Sequence, residues 1–282
     1  MRVLRICVLV LFVMVTLTSS VFFVRDLIQR DDSIPKIGMD SSLLEISVQD
    51  DESVLLSDVI AYDEKDGDLT DHVVIESISS FLVPGECNVR YAVCDKNNHV
   101  ASAERRIRYT DYTAPTFYLR RSLCFSSMEK ADILPCLGVK DVIDGDISEN
   151  IIISSSDYMA DEPGIYRIQC QATNSKGDTI ELQLPVYVEN RSFSAPIIVL
   201  QKYLTYMKVG DTLDFRKLVI GVADAEGEEL RNVKLTYDSG LRAQKPGVYS
   251  IHYYAQELDE YGEVLPDAPR GHAVLIVIVE EE

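Results

Sequence analysis

Tryptophan is absent from this chain, histidine occurs four times, and only 27 lysines and arginines stand against 46 aspartates and glutamates. Each shortage excludes something. A net charge of −19 argues against a nucleic-acid partner, because a phosphate backbone is held by clustered cations. Without tryptophan there is little material for the coplanar aromatic platforms of many carbohydrate-binding modules. The six cysteines include no C-x-x-C pair, so zinc-ribbon and thioredoxin-like readings fall away. His72, His99, His252 and His272 are scattered, with no H-E-x-x-H, and neither G-x-S-x-G nor a phosphate-cradling glycine loop is found. The chain is expected not to be an enzyme and to need no cofactor.

Long hydrophobic runs are also missing, with one exception. Residues 6–24, ICVLVLFVMVTLTSSVFFV, carry no charge. Nineteen helical residues at about 1.5 Å each cover roughly a bilayer core of 30 Å. A cleaved signal core is usually shorter, about 7–15 residues. Thr18 and Ser20 imitate a cleavage site, but cutting there would leave VFFV at the new terminus. We read the run as an uncleaved signal anchor. Arg2, Arg5 and the terminal amine favour an N-terminus inside. This predicts a single-pass plasma-membrane protein with a cytoplasmic tip (1–5), an anchor (6–24), a linker (25–34) and an extracellular bulk.

The bulk repeats. A proline opens an apolar segment at Pro35, Pro115 and Pro196, which lie 80 and 81 residues apart. An acidic turn surrounds Gly67, Gly145 and Gly227, spaced 78 and 82. A Pro-Gly turn follows at Gly85, Gly164 and Gly247, spaced 79 and 83. Three independent landmarks with one period near 80 divide the chain into 35–112, 113–192 and 193–282. After each Pro-Gly turn comes a period-2 segment. One face carries Cys87, Val89, Tyr91 and Val93 in the first repeat, Tyr166, Ile168, Cys170 and Ala172 in the second, and Tyr249, Ile251, Tyr253 and Ala255 in the third. Each repeat closes on another alternating run: ASAERRIRYTD, IELQLPVYVE and HAVLIVIVE. The prediction is all-β, three tandem antiparallel β-sandwiches behind one transmembrane helix. Short proline-led joins predict stiff, end-to-end stacking.

The order of these landmarks resembles the bacterial surface Ig-like domains repeated in cell-surface proteins of Gram-positive bacteria. The first repeat carries it in Ala61, Asp63, Asp66, Gly67, Asp68, Leu69 and Thr70, then Pro84, Gly85, Tyr91, Asp95 and Asn98. The second keeps Asp141, Asp144, Gly145, Asp146, Ile147, Ser148, Pro163, Gly164, Tyr166, Asn174 and Gly177. The third departs, with glutamates at the acidic turn and an insertion, LDEYGEVLPDAPRG, near its end. The resemblance implies immunoglobulin-like sandwiches serving as spacers, stalks or adhesive modules, and says nothing of the ligand.

Three sets of residues are candidates for chemistry. Asp63, Asp66 and Asp68, with Asp141, Asp144 and Asp146, could offer Ca²⁺ several oxygens. The spacing is not that of an EF-hand, and the competing reading is that the side chains hold the turn by bonding nearby N–H groups. Cys124 and Cys136 could close a disulfide loop, or remain core thiols. Leu258, Tyr261 and Pro266 mark the inserted loop of the third repeat, either a binding loop or a tolerated hairpin. The expected function is a membrane-anchored stalk, adhesion or interaction module. Its partners would be the membrane, through the N-terminal helix, and an extracellular protein or glycan. The alternatives are a scaffold or sensor subunit of a membrane complex and, less favoured, a carbohydrate-binding module.

Overall fold

The computed structural model describes residues 2–29, 33–265 and 267–281. A helix, α1, runs over Arg2–Gln29. It continues five residues beyond the expected anchor into RDLIQ, since nothing there stops a helix: Arg, Leu and Gln all favour it. Its apolar stretch, Arg5–Arg25, has a mean hydropathy of 2.6 and no buried residue. A helix apolar on every side and covered by nothing is long enough to cross a bilayer.

Everything else is β, joined by short 3₁₀ turns. The first repeat holds β1 (Lys36–Met39), β2 (Leu43–Ile46), β3 (Val59–Asp63), β4 (Gly67–Asp68), β5 (Val74–Ile78), β6 (Glu86–Cys94) and β7 (Val100–Tyr109). The second holds β8 (Thr116–Leu119), β9 (Cys124–Ser126), β10 (Leu137–Asp141), β11 (Gly145–Asp146), β12 (Ile152–Ser156), β13 (Gly164–Thr173) and β14 (Thr179–Glu189). The third holds β15 (Ile197–Leu200), β16 (Leu204–Lys208), β17 (Val219–Ala223), β18 (Val233–Ser239), β19 (Gly247–Glu257) and β20 (Gly271–Glu280).

One topology recurs three times. A small sheet (β1-β3-β4, β8-β10-β11, β15-β17) accompanies a four-stranded one (β2-β7-β6-β5, β9-β14-β13-β12, β16-β20-β19-β18). The sheets are antiparallel except for one parallel pair in each large sheet: β2 with β7, β9 with β14, β16 with β20. The opening segment is split: its first half edges the small sheet, and its second crosses to pair with the closing strand, which it parallels. Period-2 patterns identify strands but not their partners, so this pairing was not visible in the sequence. It also covers the edge of the closing strand, which would otherwise expose a row of unpaired amides.

The expected core faces are inside. Cys87, Val89, Tyr91 and Val93 on β6, Ile168, Cys170 and Ala172 on β13, and Ile251, Tyr253 and Ala255 on β19 are all buried. Tyr91 donates its hydroxyl to the Leu55 carbonyl at 2.6 Å, and Tyr253 to the Phe215 carbonyl at 2.9 Å. Each thus fastens a 3₁₀ turn to a central strand. Cys170 fills the matching place in the second repeat.

The chain forms two compact units, residues 1–79 with 86–109, and 80–85 with 110–282. In the first unit the largest fully buried side chain is Arg105. It donates to the Leu55 carbonyl at 2.7 Å and to the Tyr91 hydroxyl at 3.0 Å, and its guanidinium lies over the Tyr91 ring. The second unit contains both the second and third repeats, and β20 is the reason. Ala273, Leu275, Val277 and Val279 enter the core of the third repeat, whereas Val274, Ile276 and Ile278 join that of the second. The closing segment, expected to alternate, is instead buried on both faces, as continuous apolar strands usually are.

This corrects the expectation of end-to-end stacking at the second join. The opening edge of the second repeat lies against the β16–β20 face, where Phe117 N–H donates to the Tyr206 hydroxyl at 3.1 Å and Val274 N–H to Ser122 Oγ at 2.8 Å. Burying that apolar face outweighs the stiffness of a proline-led join. Ile276→Ala should therefore cost about 2–5 kcal/mol and loosen both repeats together. Hydrogen exchange on the full chain checks this: amides of β13 and β14 should lose protection alongside those of β18 and β19. Loss confined to the third repeat would contradict the shared core.

Candidate functional site

The acidic turns come first, because the sequence singled them out. Asp63 Oδ1 accepts from the N–H groups of Lys65 and Asp66 and from the Ser33 hydroxyl. Asp141 Oδ1 accepts from Ile143 and Asp144 in the same i+2, i+3 pattern. Asp66 bonds both the N–H and the ammonium of Lys96, Asp144 bonds Ser175, and Asp68 and Asp146 accept from Thr70 and Ser148. In the third repeat Asp224 holds its turn differently, accepting from the N–H groups of Glu226 and Glu228 in an i+2, i+4 pattern. Gly67, Gly145 and Gly227 sit at φ of 80°, 76° and 90°, where a side chain would be strained. These carboxylates are spread along their turns and each one holds backbone.

One pair breaks the symmetry. In the second repeat Asn174 Nδ2 donates to Asp141 Oδ2 at 3.1 Å, while its Oδ1 accepts from Lys176 and Asp178. Asp95 takes that place in the first repeat, accepting from Asn97 and His99 on Oδ1 and pairing with His99 Nδ1 at 2.7 Å through Oδ2. A carboxylate has no N–H to give, and the buried Asp63 Oδ2 is left without a partner.

Cys124 and Cys136 are both buried free thiols and do not bridge. Cys124 Sγ faces His272 at 3.2 Å, and Cys136 Sγ faces the Asp132 carbonyl at 3.5 Å. The inserted loop is a small hairpin. Leu258 bridges Val264, Asp259 Oδ1 accepts from Tyr261 and Glu263, and Asn232 Nδ2 ties down the Leu258 and Asp259 carbonyls. Tyr261 projects from its tip, 83% exposed. Pro266 lies outside the described residues.

What the fold does gather lies at the seam of the second and third repeats. Cys124 comes from β9, Glu189 from the end of β14, and His272 from the start of β20. His272 Nδ1 stands 3.2 Å from Cys124 Sγ and 2.7 Å from Glu189 Oε1, and its Nε2 is 2.9 Å from His252 Nδ1. Arg191 donates to the carbonyls of His272 and Cys124 at 2.5 and 3.2 Å, fixing the two strands to each other. Tyr187 packs edge-on to His252, and Tyr254 stacks on His272 beneath the Arg270 guanidinium. Among the described residues, this is the His, Cys, Asp and Glu set whose ligand atoms lie within 4.8 Å of one another.

Burial, with help from Glu189, pushes the Cys124 thiol up to about 12, against the pull of Arg191. The bond from His272 holds the Glu189 carboxyl below its ordinary range despite partial burial. Burial, then His272, lowers His252. Two cavities of about 340 and 360 Å³ flank the cluster, the first lined by Cys124, Glu129, Arg191 and His272, the second by Glu189, His252 and Tyr254. An open groove of about 720 Å³ continues past Tyr187 and His252 to Ile165, Arg167 and Asp238. Sequence reading missed this site because its residues lie up to 148 positions apart. The one available signal was a histidine heading a strand with no polar face.

The Asp95 exchange yields a test. Asp95→Asn would supply the missing N–H to Asp63 while keeping both backbone bonds, and should raise the melting temperature of the first unit by roughly 2–5 °C; a fall would mean that the His99 contact matters more. Acid should act on the same turn. Hydrogen bonds, from Asp66 foremost, hold Asp63 below the ordinary range. Burial alone would raise Asp95, but the His99 and Asn97 bonds prevail and lower it too. A depressed carboxylate stabilises the fold above its unfolded value and loses that effect as pH falls through the folded one. Melting of the first unit should therefore be flat from neutrality to about pH 4 and decline below it.

No family model matches the chain. An uncharacterized 81.3 kDa protein of Acholeplasma phage L2 is 45% identical over 58 residues, covering 20% of this chain and 8% of the phage protein. The pesticidal crystal protein Cry22Aa of Bacillus thuringiensis is 23% identical over 214 residues, covering 72% of this chain and 28% of that protein. The chain thus spans under a third of either relative. Among solved structures, Drosophila N-cadherin EC1-3 aligns over 90% of this chain and 91% of its own at 12% identity and a TM-score of 0.28. The M60 catalytic domain of Clostridium perfringens ZmpB with its CBM51 domains aligns over 90% and 31% at 13% identity and a TM-score of 0.23.

Proposed function

We propose that this is a membrane-tethered interaction protein whose β-sandwich repeats are displayed outside the cytoplasm and work by binding rather than by catalysis. The observation that carries this reading is α1. Its residues 6–24 are uncharged, the span Arg5–Arg25 is covered by no part of the fold, and β repeats follow it directly. Arg2 and Arg5 precede the span and favour an inside N-terminus. The repeat landmarks support membership among bacterial surface Ig-like modules, with three domains over 35–112, 113–192 and 193–282. The ligand would be an extracellular protein or a glycan. The groove beside Tyr187 and His252 is the surface offered to it, since Arg167, Gln183, Asp238 and His252 converge there beside the Tyr187 and Tyr249 rings. The strong negative charge keeps such a display soluble and repels like surfaces.

Cell fractionation tests the tether. The protein should sediment with membranes and be cut by protease added to intact cells; full-length protein in the cytosol, or protection from protease, would overturn it. A glycan and protein array probed with residues 33–282 tests the binding, and a hit should weaken when Arg167 or His252 is replaced by alanine.

A further inference from the structure

We propose that Cys124, Glu189 and His272 hold one divalent cation of the zinc type, which cross-links the second and third repeats at their seam.

The donor set points to the metal. Thiolate sulfur, imidazole nitrogen and carboxylate oxygen are all zinc ligands, with bonds of about 2.3, 2.0–2.1 and 2.0–2.2 Å. A tetrahedral ion with such bonds holds its donors roughly 3.3–3.6 Å apart. Sγ and Nδ1, at 3.2 Å, are within a few tenths of an ångström of that; Nδ1 and Oε1, at 2.7 Å, need to part by roughly 0.6–0.7 Å. Glu189 can make that movement, because its side chain is 40% exposed while that of His272 is 3% exposed. The sulfur ligand disfavours Ca²⁺ and Mg²⁺, which take oxygen.

Proton accounting points the same way. Three electron-pair donors converge, and His272 Nδ1 can carry at most one proton between its two neighbours. If His272 donates Nε2–H to His252 Nδ1, its Nδ1 lone pair faces Cys124 and Glu189. A metal-bound histidine is usually held in that manner, its second ring N–H given to an acceptor that fixes the tautomer. In that tautomer His252 Nδ1, 2.9 Å away, is the acceptor.

Charge balances as well. The thiol releases its proton on binding, and the resulting thiolate and the carboxylate cancel the two positive charges. The site is then neutral in a buried setting, where an uncompensated charge would be costly. Arg191, through its two carbonyl contacts, already holds β9 and β20 together. Cys124 and His272 both line the cavity of about 340 Å³ beside Ser122 and Glu129, which has room for a water as fourth ligand.

The test uses the full chain in detergent, stripped with chelator and titrated with Co²⁺ and then Zn²⁺. One Co²⁺ should bind per chain with a thiolate-to-metal charge-transfer band, and one Zn²⁺ should displace it and raise the melting temperature of the second unit. Cys124→Ser should abolish the band. Because that residue is buried, Glu189→Gln at the half-exposed rim serves as the second variant; it should weaken Zn²⁺ binding about tenfold or more while the metal-free chain still melts cooperatively. Co²⁺ bound without the charge-transfer band, less than about half an equivalent of Zn²⁺ per chain, or unchanged affinity in both variants would overturn the site. The outcome is independent of whether α1 lies in a membrane.

Discussion

The burial of β20 on both faces is the constraint from which most of the second unit follows. A strand normally serves one core and shows water its other side. Here Leu275 and Val277 belong to one core, and Val274 and Ile276 to the other. Fully burying one such side chain contributes about 1.5–3 kcal/mol, and β20 does so on both sides. The two sheet pairs therefore cannot part without exposing apolar surface, and the seam becomes a fixed place where side chains from distant segments meet.

That fixity matters for chemistry. A cluster of thiol, imidazole and carboxylate is useful only when its members are held to within a fraction of an ångström. Cys124 and Glu189 are set by the parallel pairing of β9 with β14. His272 is set by β20, and Arg191 spans the gap between them. All of this rests on strands, with the ligand-accessible cavities on either side. In the first unit Arg105 and Tyr91 both donate to the Leu55 carbonyl of a 3₁₀ turn.

The repeats also show how one fold tolerates local change. Asn174 and Asp95 occupy the same place and bond the same backbone N–H groups, yet one completes its network and the other leaves Asp63 Oδ2 unpaired. Tyr91 and Tyr253 each fasten a 3₁₀ turn, while Cys170 fills the position without doing so. Turn geometry, imposed by the glycines and the Asx-type bonds, is the part shared by all three repeats.

The apolar helix, the period near 80, the turn positions and the inward faces of β6, β13 and β19 are legible in the residue pattern alone. These are local properties: alternation along one strand, a glycine at positive φ, an uncharged run long enough to span a bilayer. Long-range packing is what splits the opening strand, keeps Cys124 and Cys136 apart, and gives the second and third repeats a shared core. It alone brought Cys124, Glu189, His252 and His272 together. Those outcomes depend on which surfaces meet after folding. Period-2 alternation says that a side chain points away from its neighbour; what lies on the far side is set by residues many tens of positions distant.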